Sequence, residues 1–323
     1  MKKLLALVAA AVMAAAAVPA QAQSYPSRAI KLVIPFPAGG ATDIVGRTIA
    51  QKLSVALGQN VIVENRPGAG GTIGADQVAK AAPDGYTLLM ATSSTHSIGP
   101  LINPKIPYDP FKDFAPLAHV ASAPSVLVVG GSAPVKTAGE LIDLLKKNPG
   151  KYNFGSSGIG TYPHLAAEMF KWRAGNLFVV HIPYRGTGLV IPDLVTGQIT
   201  FLMDSIVSAQ THIKDGRVRP LAVSGAVRSK SLPDVPTFKE IGVTGMEISN
   251  WFGMFAPAGT PAEIVQRINR EVNAIVRQPD VVERFEKVGA EPAGGTAEQF
   301  GALYRAESEN WKAVIKRANI KLD

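Results

Sequence analysis

From residue 30 to residue 223 the chain repeats one pattern: a short apolar run of strand character, a turn of small residues, then a stretch whose apolar residues recur at helical spacing. Such alternation buries both kinds of apolar surface only if the strands gather into sheets and the helices cover the sheet faces. It therefore predicts an α/β fold with doubly wound, parallel sheets. Residues 30–35, 61–64 and 86–91 read as the first three strands, with helices at 43–57 and 73–82 between them. Further strands are expected at 125–129, 152–155, 177–181, 199–203 and 218–223, with helices at 138–147, 164–172 and 189–196 and a short one before the last strand.

The character changes at Pro261. Ile264, Ile268, Val272, Ile275 and Val276 form an amphipathic stripe, and Phe300, Leu303 and Trp311 lie on a later helical pattern. An all-helical C-terminal tail of about 60 residues, packed back on one of the sheets, is expected. Two extended apolar stretches, 117–129 and 246–256, have no helical period. They read as crossings between a discontinuous first domain (23–120 and 249–323) and an inserted second domain (121–248), with hinges near Val120 and Ser249; a continuous split is the alternative. A chain of 323 residues suits two domains.

Composition removes whole classes. The chain has no cysteine, which excludes disulfides, thiolate metal sites and a cysteine nucleophile. With 46% hydrophobic and 18% charged residues it is not a disordered chain. Residues 1–22 read as a signal peptide: Lys2 and Lys3, an apolar run of 15 residues, then Pro19-Ala20-Gln21-Ala22 as a small-x-small site before Gln23. The run falls short of the roughly 20 apolar residues a span needs, which leaves an uncleaved anchor as the lesser alternative. Export to the periplasm follows. The net charge is +8, or +6 without Lys2 and Lys3, and the basic residues are scattered without interleaved aromatics. A nucleic-acid partner is not expected, and a monomer is.

In a doubly wound sheet, ligands bind outside the carboxyl ends of the strands. The turns there are rich in glycine and hydroxyl residues, and each enters a helix. Candidate ligand-binding residues are Phe36, Ala38, Gly39, Gly40, Thr42 and Asp43 after the first strand, and Ser93, Ser94 and Thr95 after the third. The second half contributes Ser156, Ser157, Gly158 and Thr161, then Tyr184, Arg185 and Gly186. Each turn alone is explained by N-capping and turn chemistry. Together, one set per domain, they describe a cleft that clamps a carboxylate with backbone and hydroxyl donors. Arg185 is the competing anion partner, since guanidinium suits carboxylate so well. Asp204, at the end of an apolar strand, either receives a ligand amine or hydroxyl or caps the next helix.

Catalytic motifs are missing. Ile159 stands where a G-x-S-x-G elbow needs its last glycine, and neither a Walker loop nor a dinucleotide G-x-G-x-x-G is present. His96, His119, His164, His181 and His212 match no metal-ligand spacing and read as core or cap residues. No cofactor, no metal and no catalytic residue is expected.

The chain resembles the Bug-type receptors, the extracytoplasmic solute-binding proteins of tripartite tricarboxylate transporters. The likeness runs through Tyr25-Pro26-Ser27-Arg28, Val33-Ile34-Pro35-Phe36-Pro37-Ala38-Gly39-Gly40 with Asp43, Glu64-Asn65-Arg66-Pro67-Gly68-Ala69-Gly70-Gly71, and Pro83-Asp84-Gly85-Tyr86. It continues through Ser156-Ser157-Gly158, Pro183-Tyr184-Arg185-Gly186, Leu232-Pro233-Asp234-Val235-Pro236-Thr237 and Trp251-Phe252-Gly253. The resemblance implies a periplasmic-binding-protein-like fold: two α/β domains closing on a small ligand. It also implies a carboxylate held by backbone groups and ordered water rather than by arginine, with donors from the turns named above. Ala41, Tyr162-Pro163, Thr200 and Ser205 depart from the family pattern, which bears on the identity of the ligand. The function implied is a receptor for a small organic acid or related polar solute, delivered to the membrane carrier subunits of such a transporter. The alternatives are a secreted α/β enzyme such as a hydrolase, or a receptor feeding a sensor kinase.

Overall fold

A computed structural model describes residues 25–320; the expected signal peptide, residues 1–22, lies outside the described residues. The first half opens with β1 (Ile30–Ile34), α1 (Ala41–Leu57), β2 (Val61–Asn65), α2 (Thr72–Ala79) and β3 (Thr87–Thr92). β1 lies between β2 and β3 and is parallel to both. Helix α1 sets Val45, Ile49 and Leu53 against this sheet and stops at Gly58, which takes a left-handed conformation (φ 66°). A single turn, α3 (Gly99–Ile102), precedes the long strand β4 (Phe114–Gly130).

The second half runs α4 (Ala138–Lys147), β5 (Asn153–Ser156), α5 (Tyr162–Arg173), β6 (Val180–Pro183), α6 (Ile191–Val195), β7 (Phe201–Ser205), α7 (Ile206–Lys214) and β8 (Val218–Val223). Here β5 lies parallel between β6 and β7. The chain returns through β9 (Ser249–Pro257) and closes with α8 (Ala262–Ile275), α9 (Pro279–Val288), β10 (Glu291–Pro292) and α10 (Ala297–Ala318).

The strand order is β2-β1-β3-β9-β4-β7-β5-β6, with β8 and β10 also on β4. The sheets are not purely parallel, which corrects the expectation. β9 is antiparallel to β3 and β4, and β4 is antiparallel to β7 and β8. The two strands that carry the chain out and back must run in opposite senses, and both are built into the sheets rather than bridging them as loops.

β4 changes partner partway along. Residues up to Pro124 pair with β9, and those from Ser125 onward pair with β7 and β8. The change falls at a proline, which has no N–H to give to a ladder. The other crossing is tied to the same point. Ser125 N–H donates to Ser224 Oγ (2.7 Å), Ser224 N–H donates to Ser125 O (2.8 Å), and Ser224 Oγ donates to Ile248 O (2.6 Å).

The tail also departs from expectation. It is interrupted by β10, which pairs with Ala121 and Ser122 of β4, and α10 spans both sheet systems rather than one. A capping box between Thr296 and Gln299 starts α10, whose 22 residues reach about 33 Å. Phe300 and Tyr304 pack with Trp251 and Phe255, while Trp311 and Val314 join the cluster of Tyr162, Leu165 and Phe170. Phe300 lies so close to β9 that a Cβ on Gly253 would sit 2.0 Å from its ring. Gly253→Ala is therefore expected to cost about 1–3 kcal/mol through overpacking. Urea denaturation checks this, and an unchanged midpoint would contradict the close seating of α10.

Candidate functional site

The turns that follow β1, β3, β5, β6 and β7 converge on one cavity of about 310 Å³. Of the residues expected from sequence, Phe36, Ala38, Gly40 and Thr42 line it from one side, with Ser94 from the turn after β3. Ser157, Gly186 and Asp204 line it from the second half. Among its lining residues there is no lysine, arginine or histidine.

Helix α1 begins at this cavity. Gly40 occupies its N-cap position and supplies no side-chain cap, so the first N–H groups of the helix are left for another acceptor. Asp43 does not line the cavity; it holds the turn. Its carboxylate accepts Gly39 N–H (2.9 Å), Asn65 Nδ2–H (2.8 Å) and Arg47 Nε–H (2.9 Å). Burial alone would raise its pKa, but the hydrogen bonds from Arg47, Gly39 and Asn65 outweigh it and keep the carboxyl below its usual range. Gly39 serves the same turn at φ 82°, where a side chain would strain the backbone.

The remaining expected residues support the walls. Ser93 donates to Glu307 Oε1 (2.8 Å) on α10, and Thr95 donates to Thr92 O (3.1 Å). The other Glu307 oxygen accepts Trp251 Nε1–H, and burial raises its carboxyl pKa. Ser156 Oγ bonds His181 Nε2 (2.6 Å) and accepts Gly158 N–H (3.1 Å), while Thr161 Oγ1 donates to Gly158 O (2.7 Å). Gly160 N–H donates to His164 Nδ1 (3.2 Å), and the His164 and His181 rings stack 3.9 Å apart. Burial pushes those two histidines down to about 3 and about 4, so they are neutral struts of the loop. His96 is buried and stacked on Phe255, and desolvation takes it down to about 3; it is a core residue.

Tyr184 donates to Asp193 (2.6 Å), and Arg185 is exposed. Tyr184, Arg185 and Gly158 line a neighbouring space of about 440 Å³, against the loop of Gly68 to Gly71; it shares Phe36, Pro37 and Ser157 with the first cavity. Arg185 thus stands beside the cavity, not in it.

Sequence reasoning left several lining residues out of the site. Thr92, Tyr162, Ser205 and Ser208 face the cavity, as do Thr187 and Leu189. Tyr162 is buried: its N–H donates to Ser94 Oγ (2.9 Å), a bond between the two halves, and its ring meets Trp311 edge to face. Asn250 on β9 also lines the cavity, and its only sequence signal is one amide in an apolar strand. Asn250 Oδ1 and Ser205 Oγ are buried and have no partner. Asp204 accepts Ser205 N–H (2.8 Å), and burial pushes its carboxyl up to about 6 despite partial relief from Ser208, Ser205 and Thr187. Among the described residues no cluster of metal-ligating side chains exists, and no helix is long and apolar enough to cross a membrane.

Two α/β halves, joined by crossing strands and facing one cavity through their strand-end turns, define a solute-binding protein of the periplasmic-binding-protein type. The chain belongs to the tripartite tricarboxylate transporter family of receptors, whose model matches residues 45–320. It is 37% identical to the protein BugT of Bordetella pertussis over 95% of this chain and 94% of that one. It superposes on the R. palustris protein Rpa4515 with adipate at a TM-score of 0.89, with 36% identity, 92% of this chain and 99% of that chain covered. For MatC of Rhodopseudomonas palustris with bound malate, the TM-score is 0.85, at 33% identity and 90% and 100% coverage. The resemblance read from the motifs is thus borne out, and neither the hydrolase nor the sensor-kinase alternative gains support.

Asp204 sets a stability prediction. Below about pH 4 the carboxyl is protonated whether the chain is folded or not, and costs nothing. Between its ordinary value of 3.8 and about 6 the folded state holds a proton that the unfolded state has released, so stability falls as pH rises through that window. Asp204→Asn is therefore expected to stabilise the ligand-free protein by about 2–3 kcal/mol near neutral pH, with the gain vanishing near pH 4. Thermal melts at the two pH values check the sign; a less stable variant at neutral pH would contradict it.

Proposed function

We propose that this protein is a periplasmic receptor that captures a small organic acid by its carboxylate and delivers it to the membrane carrier subunits of a tripartite tricarboxylate transporter. One observation carries the reading of the site: an uncapped helix N-terminus opens into a cavity that no lysine or arginine lines. An anion placed there meets unsatisfied N–H groups and the positive end of the α1 dipole, roughly half an elementary charge. The adipate and malate bound by its structural neighbours agree with an acid as ligand. The basic, apolar, small-residue sequence of residues 1–22 supports export through a cleaved signal peptide. The protein binds and releases; no catalytic residue is assigned.

The mechanical reading follows from the crossings. The two domains close about the place where Ser125, Ser224 and Ile248 are bonded together. Closed contacts support this: Ser94 with Tyr162, and Pro37 against Gly186, where a Cβ would come within 2.8 Å.

The turn at Gly40 gives a clean test, because its φ is −77° and a Cβ there meets nothing nearer than Pro37 O at 3.5 Å. Gly40→Val should fold normally yet lose acid binding by ~100-fold or more, as the branched side chain takes up the approach to the helix N-terminus. Arg185→Ala should weaken binding less than ~5-fold; a desolvated ion pair would cost roughly 2–5 kcal/mol on truncation. Calorimetry uses the acid retained by the purified protein, identified by native mass spectrometry. Loss confined to Arg185→Ala would overturn the backbone reading.

A further inference from the structure

The cavity carries more polar chemistry than the capture of one carboxylate uses. Three residues from separate parts of the chain, Asp204 at the end of β7, Ser205 at the start of α7 and Asn250 on β9, are each more than nine-tenths buried and line the same space. Asn250 Oδ1 and Ser205 Oγ have no partner, while the Asp204 carboxylate accepts Ser205 N–H and is eased further by the Ser208 and Thr187 hydroxyls. An unpaired buried polar atom is costly, and two of them lining one cavity call for a partner that enters it. These atoms call for hydrogen-bond donors: a carboxylate and an amide oxygen accept, and a hydroxyl does either. The neighbourhood is also negatively charged, and no cation lines the cavity to offset it.

We propose that Asp204, Asn250 and Ser205 make this receptor selective for acids whose second polar group is a hydrogen-bond donor, a hydroxyl or an ammonium, and set it against dicarboxylates. The proposal rests on the reading of the α1 turn as the carboxylate site. A ligand of this kind gives its carboxylate to the helix N-terminus and its donor to the acceptors of the second half. A second carboxylate would bring like charge against Asp204 and would leave Asn250 Oδ1 still unpaired. The retention of a buried carboxyl that weakens the ligand-free fold near neutral pH agrees with a role in recognition.

The test is competition calorimetry near neutral pH with succinate, glutarate and adipate, each against its ω-hydroxy and ω-amino monoacid. At the best-fitting length a donor-bearing monoacid is expected to bind at least ~30-fold more tightly than the matched diacid. Asp204→Asn should shrink that ratio ~10-fold or more by removing the like charge while keeping the shape. Should that variant fail to fold, Asn250→Ala gives the same reading through the lost acceptor. Diacids that bind as well as or better than the monoacids, or a ratio unmoved by the variants, would overturn the selectivity and leave the carboxylate reading intact. If no acid of any series binds, the carboxylate reading itself falls and takes the selectivity with it.

Discussion

Strand β4 belongs to both sheets, and most of the structure depends on that sharing. Its first part is held between β9 and β10, and its second between β7 and β8, with Pro124 and Ser125 at the change. Because one continuous strand joins the two sheets, the turns at their strand ends face each other across one gap. Helix α10 reinforces the relation from behind, with Phe300 and Tyr304 in one core and Trp311 and Val314 in the other. The candidate site exists because of that geometry: Ser94 and Gly40 belong to one half, Ser157 and Asp204 to the other.

Within the gap, electrostatics comes from the backbone rather than from paired side chains. No arginine or lysine lines the cavity, and the arginine–carboxylate pair at the α1 turn, Arg47 with Asp43, is spent on holding the turn. A backbone site of the proposed kind would recognise the carboxylate without demanding anything of the rest of the ligand. Selectivity would then fall to the other lining groups, which are uncharged except for Asp204, a desolvated carboxyl suited to a ligand donor.

Much of the fold was legible because its elements are strongly patterned. The helix at Ala138–Lys147 and the strand at Val218–Val223 stand where periodicity put them, since one has a clean apolar stripe and the other a buried run. The strand expected at 177–181 begins only at Val180: Leu177 and Val179 are apolar because they enter the core, but ladder pairing starts with Val180 N–H on Tyr152 O. Burial and strand pairing coincide often, not always. The antiparallel sense of β9 could not be read from apolar content, since a buried strand reads the same in either direction. The turns of the site were legible as glycine and hydroxyl clusters at strand ends. Which of them face the cavity was not: Thr95 and Ser93 turn into the core, while Asn250, a single amide in an apolar strand, faces the space. Tertiary placement decides that, and no local pattern carries it.

The central claim is that backbone N–H groups at the start of α1 hold the ligand's carboxylate. The direct measurement is amide proton and nitrogen chemical shifts of the labelled protein, recorded with and without the acid it retains. The largest downfield proton shifts are predicted at the amides of Ala41, Thr42 and Asp43, with little change at the Arg185 side chain. Unmoved amides there, with the main perturbation on the Arg185 guanidinium, would contradict the account.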